Sequence, residues 1–294
     1  MKKIFINVDI DTLKNYYKIF GVNDYVEDNV IWEKGVPRFL KFFKKLNVKA
    51  NFFVVGSDFK NIKNIRIAKK IISEGHRISS HTYYHDYKLT KRNYNQVYLD
   101  IKKNQKILNT LFRIKNVVFR APGYKMNGKV YDSIKNNGLQ YSSSVMPSTF
   151  YSIIKNLIIL KNNFLFKKSE SLIDYSFNLF QKKNAYIHKR TKIIEIPIST
   201  FPIFKIPFTG TFLSLGGKFL FNLTKNIMIK KKYINLEFHA IDLIDFKDLK
   251  KHPFINKNQI DLKKTKHYKE KIFQKWISLI LKTHKNNFLE NIYK

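Results

Sequence analysis

The chain has no cysteine. Disulfides and thiolate ligands are thereby excluded, so any metal must be held by histidine and carboxylate side chains. Long apolar runs are missing as well. Lysines and asparagines interrupt even the greasiest stretch, FTGTFLSLGGKFLFNL, short of the roughly 18 unbroken apolar residues of a spanning helix. The opening MKKIFINVDIDT carries two lysines but only a handful of apolar residues before its aspartates, too few for a signal-peptide core, and it has no cleavage site. The expected location is therefore cytoplasmic, peripheral to the inner face of the membrane. Linkers rich in Pro, Gly or Ser and internal repeats are also lacking. Acidic residues are scarce, 21 against 56 Lys and Arg, for a formal charge of +35. Lysine, asparagine and isoleucine are over-used along the whole length, which reads as compositional drift more than as a dedicated polyanion surface. The field still draws the protein towards anionic membranes and phosphorylated or nucleic-acid partners, most strongly at low salt. No nucleic-acid recognition motif accompanies the charge, so specific nucleic-acid binding is not expected.

What is present is enough to fold. Hydrophobic residues make up 44% of 294, with 26 Phe and 17 Tyr, and a chain of this length buries a large core. KIFINVDID (3–11) alternates and is β-branched, as a buried first strand does. A helical spacing follows over 35–47, and VKANFFVVG (48–56) reads as a second strand. The rhythm continues with a helix near 61–74, the strand HRISS, a helix near 91–112, the strand NVVFR (116–120), a helix near 127–137 and the short strand LQYSSS. Alternating strands and helices specify an α/β fold with a parallel sheet, whose active site lies at the carboxyl ends of the strands. Residues 151–192 break the rhythm and read as an insertion at the rim; KIIEIPISTFP (192–202) resumes strand character. Residues 246–294 form a C-terminal helical extension. Its apolar positions Ile272, Phe273, Trp276, Ile277, Ile280 and Leu281 suit a helix packed on the fold rather than laid on a membrane.

Four strand ends carry the polar residues of interest: Asp9 and Asp11, His81 and His85, Arg120, and His239. A histidine pair four apart arises by chance in roughly one chain in five of this composition and decides nothing alone. The DID carboxylates strengthen it, because a catalytic zinc takes three protein ligands and keeps a fourth position open. Asp9 and Asp11 project to the same side of a strand and repel. A metal on Asp11 and an arginine beside Asp9 would relieve that, with Asp9 left to act as base. In FRAPGY, Arg120 would orient Asp9 while a backbone N–H of the Gly123 and Tyr124 turn faces a developing oxyanion. His76 reads as structural; His188, His252, His267 and His284 read as surface residues.

NVDIDT, SHTYYHDY, FRAPGY and LEFHAIDLID follow in the order and approximate spacing of the polysaccharide deacetylase family, the NodB homology domain of carbohydrate esterases, which the chain resembles over roughly residues 3–245. GHRISSHTYYH and YSSSVMPS look like that family's second motif and the segment after its third, particularly in the subgroup acting on cell-surface glycans or lipid-linked sugars. The resemblance implies a distorted (β/α) barrel over 1–245 and a divalent metal, usually Zn2+, on Asp11, His81 and His85. It implies Asp9 as base, Arg120 as its partner, His239 as the acid that protonates the leaving amine, and an N-acyl sugar as substrate. Arg77 stands where the family commonly has an acid and Asp86 where it commonly has proline. No segment is assigned to the family's usual fourth motif, and Asp242 or Glu195 is the candidate partner of His239. Zinc brings the pKa of a bound water to about 7, within reach of a carboxylate base. The expected activity is hydrolytic removal of an acetyl or formyl group from an amino sugar of a glycan or lipid-linked precursor. The alternative is a catalytically silent glycan- or lipid-binding member of the same fold.

Overall fold

A computed structural model of the chain describes residues 1–115, 117–164, 169–171, 173, 181–202 and 204–294. Strand β1 (Lys3–Asp9) is buried on both faces: Ile4, Ile6 and Val8 meet the helices, while Phe5, Asn7 and Asp9 point inward. Such a strand must lie centrally. After it come α1 (Leu13–Ile19) and α2 (Val36–Leu46), which opens on Pro37 and stops at Asn47 in the left-handed region. The next crossovers are β2 (Asn51–Val54), α3 (Ile62–Ser73), β3 (Arg77–Ser80) and α4 (Tyr94–Phe112). Asn61 caps α3, and Asn93 with Gln96 closes a capping box on α4. Then follow α5 (Gly128–Asn136), β4 (Tyr141–Ser142), α6 (Thr149–Phe164), β5 (Tyr186–Ile187) and β6 (Ile194–Glu195). The chain continues with α7 (Gly210–Met228), β7 (Tyr233–His239), α8 (Pro253–Asn258), α9 (Lys266–Leu281) and β8 (Lys285–Asn287).

The central sheet has the order β3-β2-β1-β7, all parallel. A second sheet, β4-β6-β5, joins it at two seams. On one side Phe119 bridges Ser80 and Ser142; on the other the Ser199 amide donates to the Asn235 carbonyl at 3.0 Å and Thr209 bridges Glu237. The inward-facing residues are layered. Phe5, Phe53, Val118 and Ile196 form an apolar floor closed from below by Leu289, and above it lies a polar layer that includes the 2.5 Å contact from Asn7 Nδ2 to Asn235 Oδ1. The site occupies the upper rim.

Several expectations change. The strand expected over 116–120 reduces to the bridging residue Phe119, Asn116 lying outside the described residues, and that expected over 192–202 pairs as a strand only at β6. Pro197 and Pro202 remove ladder donors from the second of these. The rim segment is helical over α6; its positions 165–168, 172 and 174–180 lie outside the described residues. The extension is not helical throughout, since β8 pairs in parallel with Lys3–Phe5 of β1. Its helix α9 buries Ile272, Phe273, Trp276, Ile277 and Ile280, with Trp276 ringed by Phe201, Phe208 and Phe221. Arg77 pairs with Glu290 and lies over the Phe288 ring, so it holds the extension to the central sheet. Asp86 accepts from the Lys88 amide and from Arg92, fixing the turn after His85. Among the described residues no helix is long and apolar enough to cross a membrane.

Two of the histidines read as surface residues are core residues. His252 lies between the Tyr17 hydroxyl and Asp28, and His284 meets the Lys231 carbonyl at 3.0 Å. His188 stacks on Tyr131, and His267 is exposed.

His76 packs between Phe43 and Phe52 and accepts the Ala50 amide on Nδ1 at 3.1 Å, which requires a neutral ring. Burial, with Lys49 nearby, pushes its pKa down to about 4. Unfolded, the ring titrates near 6.5, so between those values the unfolded chain binds the extra proton. Stability is therefore full above pH 6.5 and declines as the pH falls towards 4, by about 2 kcal/mol from this residue. Urea unfolding at pH 7 and pH 5 should show this loss in the wild type and less of it in His76→Asn, whose amide oxygen can still accept from Ala50. An equal loss in both would remove His76 as its cause.

Candidate active site and metal centre

Strand periodicity carries Asp9 and Asp11 to the inner rim. Asp11 Oδ1 stands 3.1 Å from His85 Nε2 and 3.4 Å from His81 Nε2, and the two Nε2 atoms are 3.1 Å apart. Three ligand atoms each about 2.0–2.1 Å from one tetrahedral ion would be about 3.3 Å apart, so the triangle matches that spacing. The donor set, two imidazoles and a carboxylate, is one that zinc accepts. Asp11 Oδ1 is also buried without a hydrogen-bond partner of acceptable geometry among the described residues, a costly state for a carboxylate oxygen without a cation. The residues therefore fit a divalent metal.

The histidine orientations are built in. His81 Nδ1 donates to the Arg120 carbonyl at 2.9 Å, which leaves the Nε2 lone pair facing Asp11. Thr82 and His85 both adopt positive φ, 62° and 53°, conformations that cost of order 1–3 kcal/mol each outside glycine. Two contacts hold the turn there. The Thr82 hydroxyl accepts the His85 amide at 3.0 Å, and Asp100 Oδ1 on α4 accepts the Tyr83 and Tyr84 amides at 2.9 and 3.1 Å. Burial would raise the Asp11 carboxyl, but the imidazoles of His85 and His81 bring it well below the ordinary range. Burial lowers His85; at His81 the neighbouring Asp11 and Asp9 outweigh burial and raise it.

Asp100 touches none of the ligands, yet it ties the backbone between them. Asp100→Ala should weaken metal binding by about 10- to 100-fold, while Asp100→Asn, which keeps an acceptor at Oδ1, should lose much less. Competitive metal titration against a chromophoric chelator measures this, and equal affinities for the two variants would show the anchor to be unnecessary.

Arg120 is fully buried. Its Nη1 donates to Asp9 Oδ1 at 2.6 Å and to Glu237 Oε1 at 3.2 Å, its Nε and Nη2 donate to Ser143, and its guanidinium lies 4.0 Å over the Phe53 ring. Asp9 Oδ2, with no hydrogen-bond partner among the described residues, faces the site 3.9 Å from His81 Nε2. Asp9, Glu237 and His239 also cluster closely enough to hold an ion, but the Arg120 guanidinium already supplies a cation to both carboxylates. His239 Nε2 stands 3.9 Å from Asp11 Oδ2 and 3.2 Å from the Tyr124 hydroxyl, which donates to Glu237 Oε1 at 2.7 Å. Burial lowers His239, but Glu237, Asp11 and Asp9 prevail and raise it to about 9; burial lifts Glu237 to about 8.

Asp9, Asp11, His81, His85, Arg120, Tyr124 and His239 thus form one cluster, with Gly123 on the cavity wall. The Tyr124 amide donates to the Ala121 carbonyl at 3.2 Å, so the turn itself uses that N–H; the correction falls on the expected oxyanion role of the Tyr124 backbone. Neither carboxylate expected to partner the His239 ring makes a hydrogen bond to it. Asp242 accepts the His239 backbone amide at 2.8 Å, and Glu195 accepts the Ser144 and Val145 amides. Glu237 was missed. Its signal lay in Asn235, Glu237 and His239 alternating on β7 opposite Asn7 and Asp9. Above the cluster a cavity of about 270 Å³ is walled chiefly by apolar groups, including Phe20, Met146, Ile154, Ile158 and Phe212.

A buried Asp-His-His triangle beside an Arg-Asp pair at the carboxyl ends of parallel strands is an arrangement that metal-dependent hydrolases can use. Residues 25–142 match the model of the polysaccharide deacetylase family. It is similar to a peptidoglycan deacetylase of Helicobacter pylori, 26% identical over 202 residues, covering 65% of this chain and 62% of that protein. It is 35% identical over 106 residues to a peptidoglycan-N-acetylglucosamine deacetylase of Listeria monocytogenes, covering 36% of this chain and 22% of that one. The chain thus spans less than two thirds of the length of these relatives. A crystal structure of a Mycobacterium smegmatis chain classed with the polysaccharide deacetylases aligns over 98% of this chain and 94% of its own, with a TM-score of 0.52 at 15% identity, a likeness of fold alone.

Proposed function

We propose that this protein is a divalent-metal-dependent hydrolase that removes an acetyl or formyl group from the nitrogen of an amino sugar. The observation that carries this reading is the ligand triangle of Asp11, His81 and His85, with the Asp9–Arg120 pair on one side and His239 on the other. Asp11, His81 and His85 would hold the ion. Bound there, zinc or a similar cation supplies Lewis acidity, bringing a water's pKa to about 7 and polarising the acyl carbonyl. The chain's own groups do the rest. Asp9, held through Oδ1 by Arg120, presents Oδ2 to take the proton from the attacking water. His239, charged at neutral pH beside Glu237, returns a proton to the departing amine, and the Tyr124 hydroxyl holds both His239 and Glu237 in place. The Gly123 side of the turn faces the same space and suits the developing oxyanion.

The relatives are named for peptidoglycan and N-acetylglucosamine, which supports an N-acyl hexosamine as the reacting unit. The apolar cavity wall favours one carrying a hydrocarbon chain, a lipid-linked precursor, over a bare glycan. Metal analysis of the purified protein, followed by measurement of acetate and formate released from soluble and lipid-linked N-acyl sugars, tests the reading. One divalent ion per chain and acyl release are expected. Metal without release from any of these substrates would favour the silent binding member; absence of metal would defeat the hydrolase.

A further inference from the structure

We infer that α6 and α7 form a platform that docks on an anionic lipid bilayer beside the mouth of the site. The inference deepens the lipid-linked reading and rests on it for the nature of the sugar. Helix α6 is apolar on two sides. Ile154, Ile158 and Ile159 line the cavity, while Ile153, Leu157 and Leu160 face solvent, Leu157 being 60% exposed. Helix α7 is broken at Gly217, which lies outside helical φ/ψ; past the break Phe219, Leu223 and Ile227 recur every fourth residue and form one exposed row, with Phe219 77% exposed, and Leu215 is exposed just before it. A surface helix of a globular protein ordinarily shows polar groups there, and exposed apolar patches mark interaction sites.

Two observations identify the occupant. Leu215, just before the break at Gly217, is both exposed and part of the cavity lining, and Phe150 of α6 packs 5.7 Å from Phe212 of α7, so apolar surface runs from the outer face into the site. A hydrocarbon chain could follow that path without crossing water. The row is also bordered by exposed lysines, Lys218 beside Phe219, then Lys230 and Lys232 just past the helix, on a chain of net charge +35. Apolar side chains flanked by lysines are what an interfacial helix uses on an anionic membrane.

Cosedimentation with vesicles of phosphatidylcholine mixed with phosphatidylglycerol, against pure phosphatidylcholine, tests the proposal. The wild type should partition onto the mixed vesicles. Phe219→Ser with Leu223→Ser should partition at least about tenfold less, with unchanged circular dichroism and metal content. That double variant should deacylate a lipid-linked sugar in vesicles more slowly while leaving a soluble N-acyl sugar unaffected. His81→Ala should lose its metal and still bind vesicles, which separates failure of the platform from failure of the hydrolase. The proposal is overturned if the wild type ignores mixed vesicles or if the double variant binds them undiminished. It is equally overturned if the wild type is a dimer that the double variant converts to monomer, since a second copy would then cover this face.

Discussion

Asp11→Ala is expected to abolish tight metal binding and to lower acyl release by more than about 1000-fold. Ligand number sets the size of the loss. A catalytic zinc is held by three protein groups, and this variant leaves two imidazoles whose Nε2 atoms, 3.1 Å apart, have lost the anion between them. Loss of a supporting group that merely orients a ligand already costs about 10- to 100-fold in affinity, so loss of the only anionic ligand must exceed that. Folding should not suffer, because the deletion removes a buried carboxylate oxygen that has no hydrogen-bond partner among the described residues. The readout is thermal. Excess zinc should raise the melting temperature of the wild type by several degrees, since a ligand at about 1000 times its Kd adds about 4 kcal/mol, and should leave Asp11→Ala unmoved. A full zinc-induced shift in the variant would place the metal elsewhere.

Arg120→Met is expected to produce the largest loss of stability, about 3–5 kcal/mol. Asp9 and Glu237 approach the same guanidinium, and all three side chains are almost wholly buried. Methionine keeps much of the volume over the Phe53 ring but leaves Asp9, and Glu237 once it ionises, without their cation. The sign of the pH dependence follows from Glu237. Its carboxyl ionises near pH 8 in the folded wild type, against about 4.5 unfolded, so this group favours folding least at high pH. Without Arg120 it must stay protonated to still higher pH, so the deficit of the variant should widen as the pH rises past 8 and narrow below it. Chemical denaturation at pH 6 and pH 9 decides the matter. A deficit that shrinks at pH 9 would mean that Arg120 is not the compensating charge. Acyl release should fall as well, because Asp9 loses the partner that holds Oδ1.

The contrast between these residues and those missed follows from how each acts. Asp9, Asp11, His81, His85, Arg120 and His239 stand at ends of predicted strands, and the parallel rule brings strand ends together whatever their separation in the chain. Local pattern sufficed to expect them in one place. Asp100 leaves no such trace, because it acts through the backbone amides of Tyr83 and Tyr84 from a different helix. His252 sits in lysine-rich sequence and looks exposed, yet its burial is set by Tyr17 and Asp28, far away in the chain. Helix α6 escaped notice because apolar residues on two sides blur the one-sided periodicity that marks an ordinary surface helix. The strand over 192–202, finally, was overestimated because β-branched composition says nothing about the ladder donors that Pro197 and Pro202 remove.

The pairing of β1 bears on how the chain reaches this structure. The first strand is flanked by β7 along its whole length and by β8 at Lys3–Phe5, both drawn from the far end of the polypeptide. A ribosome that has just released β1 has made neither of these two partners, although β2, which pairs with Asn7–Asp9, follows early. Phe5 must wait for Leu289, and so long a wait favours slow, late closure over stepwise assembly during synthesis. Shortened chains that stop before Lys285 should for that reason accumulate as aggregates in the cell, with Lys3–Phe5 of their first strand left without a partner on one edge.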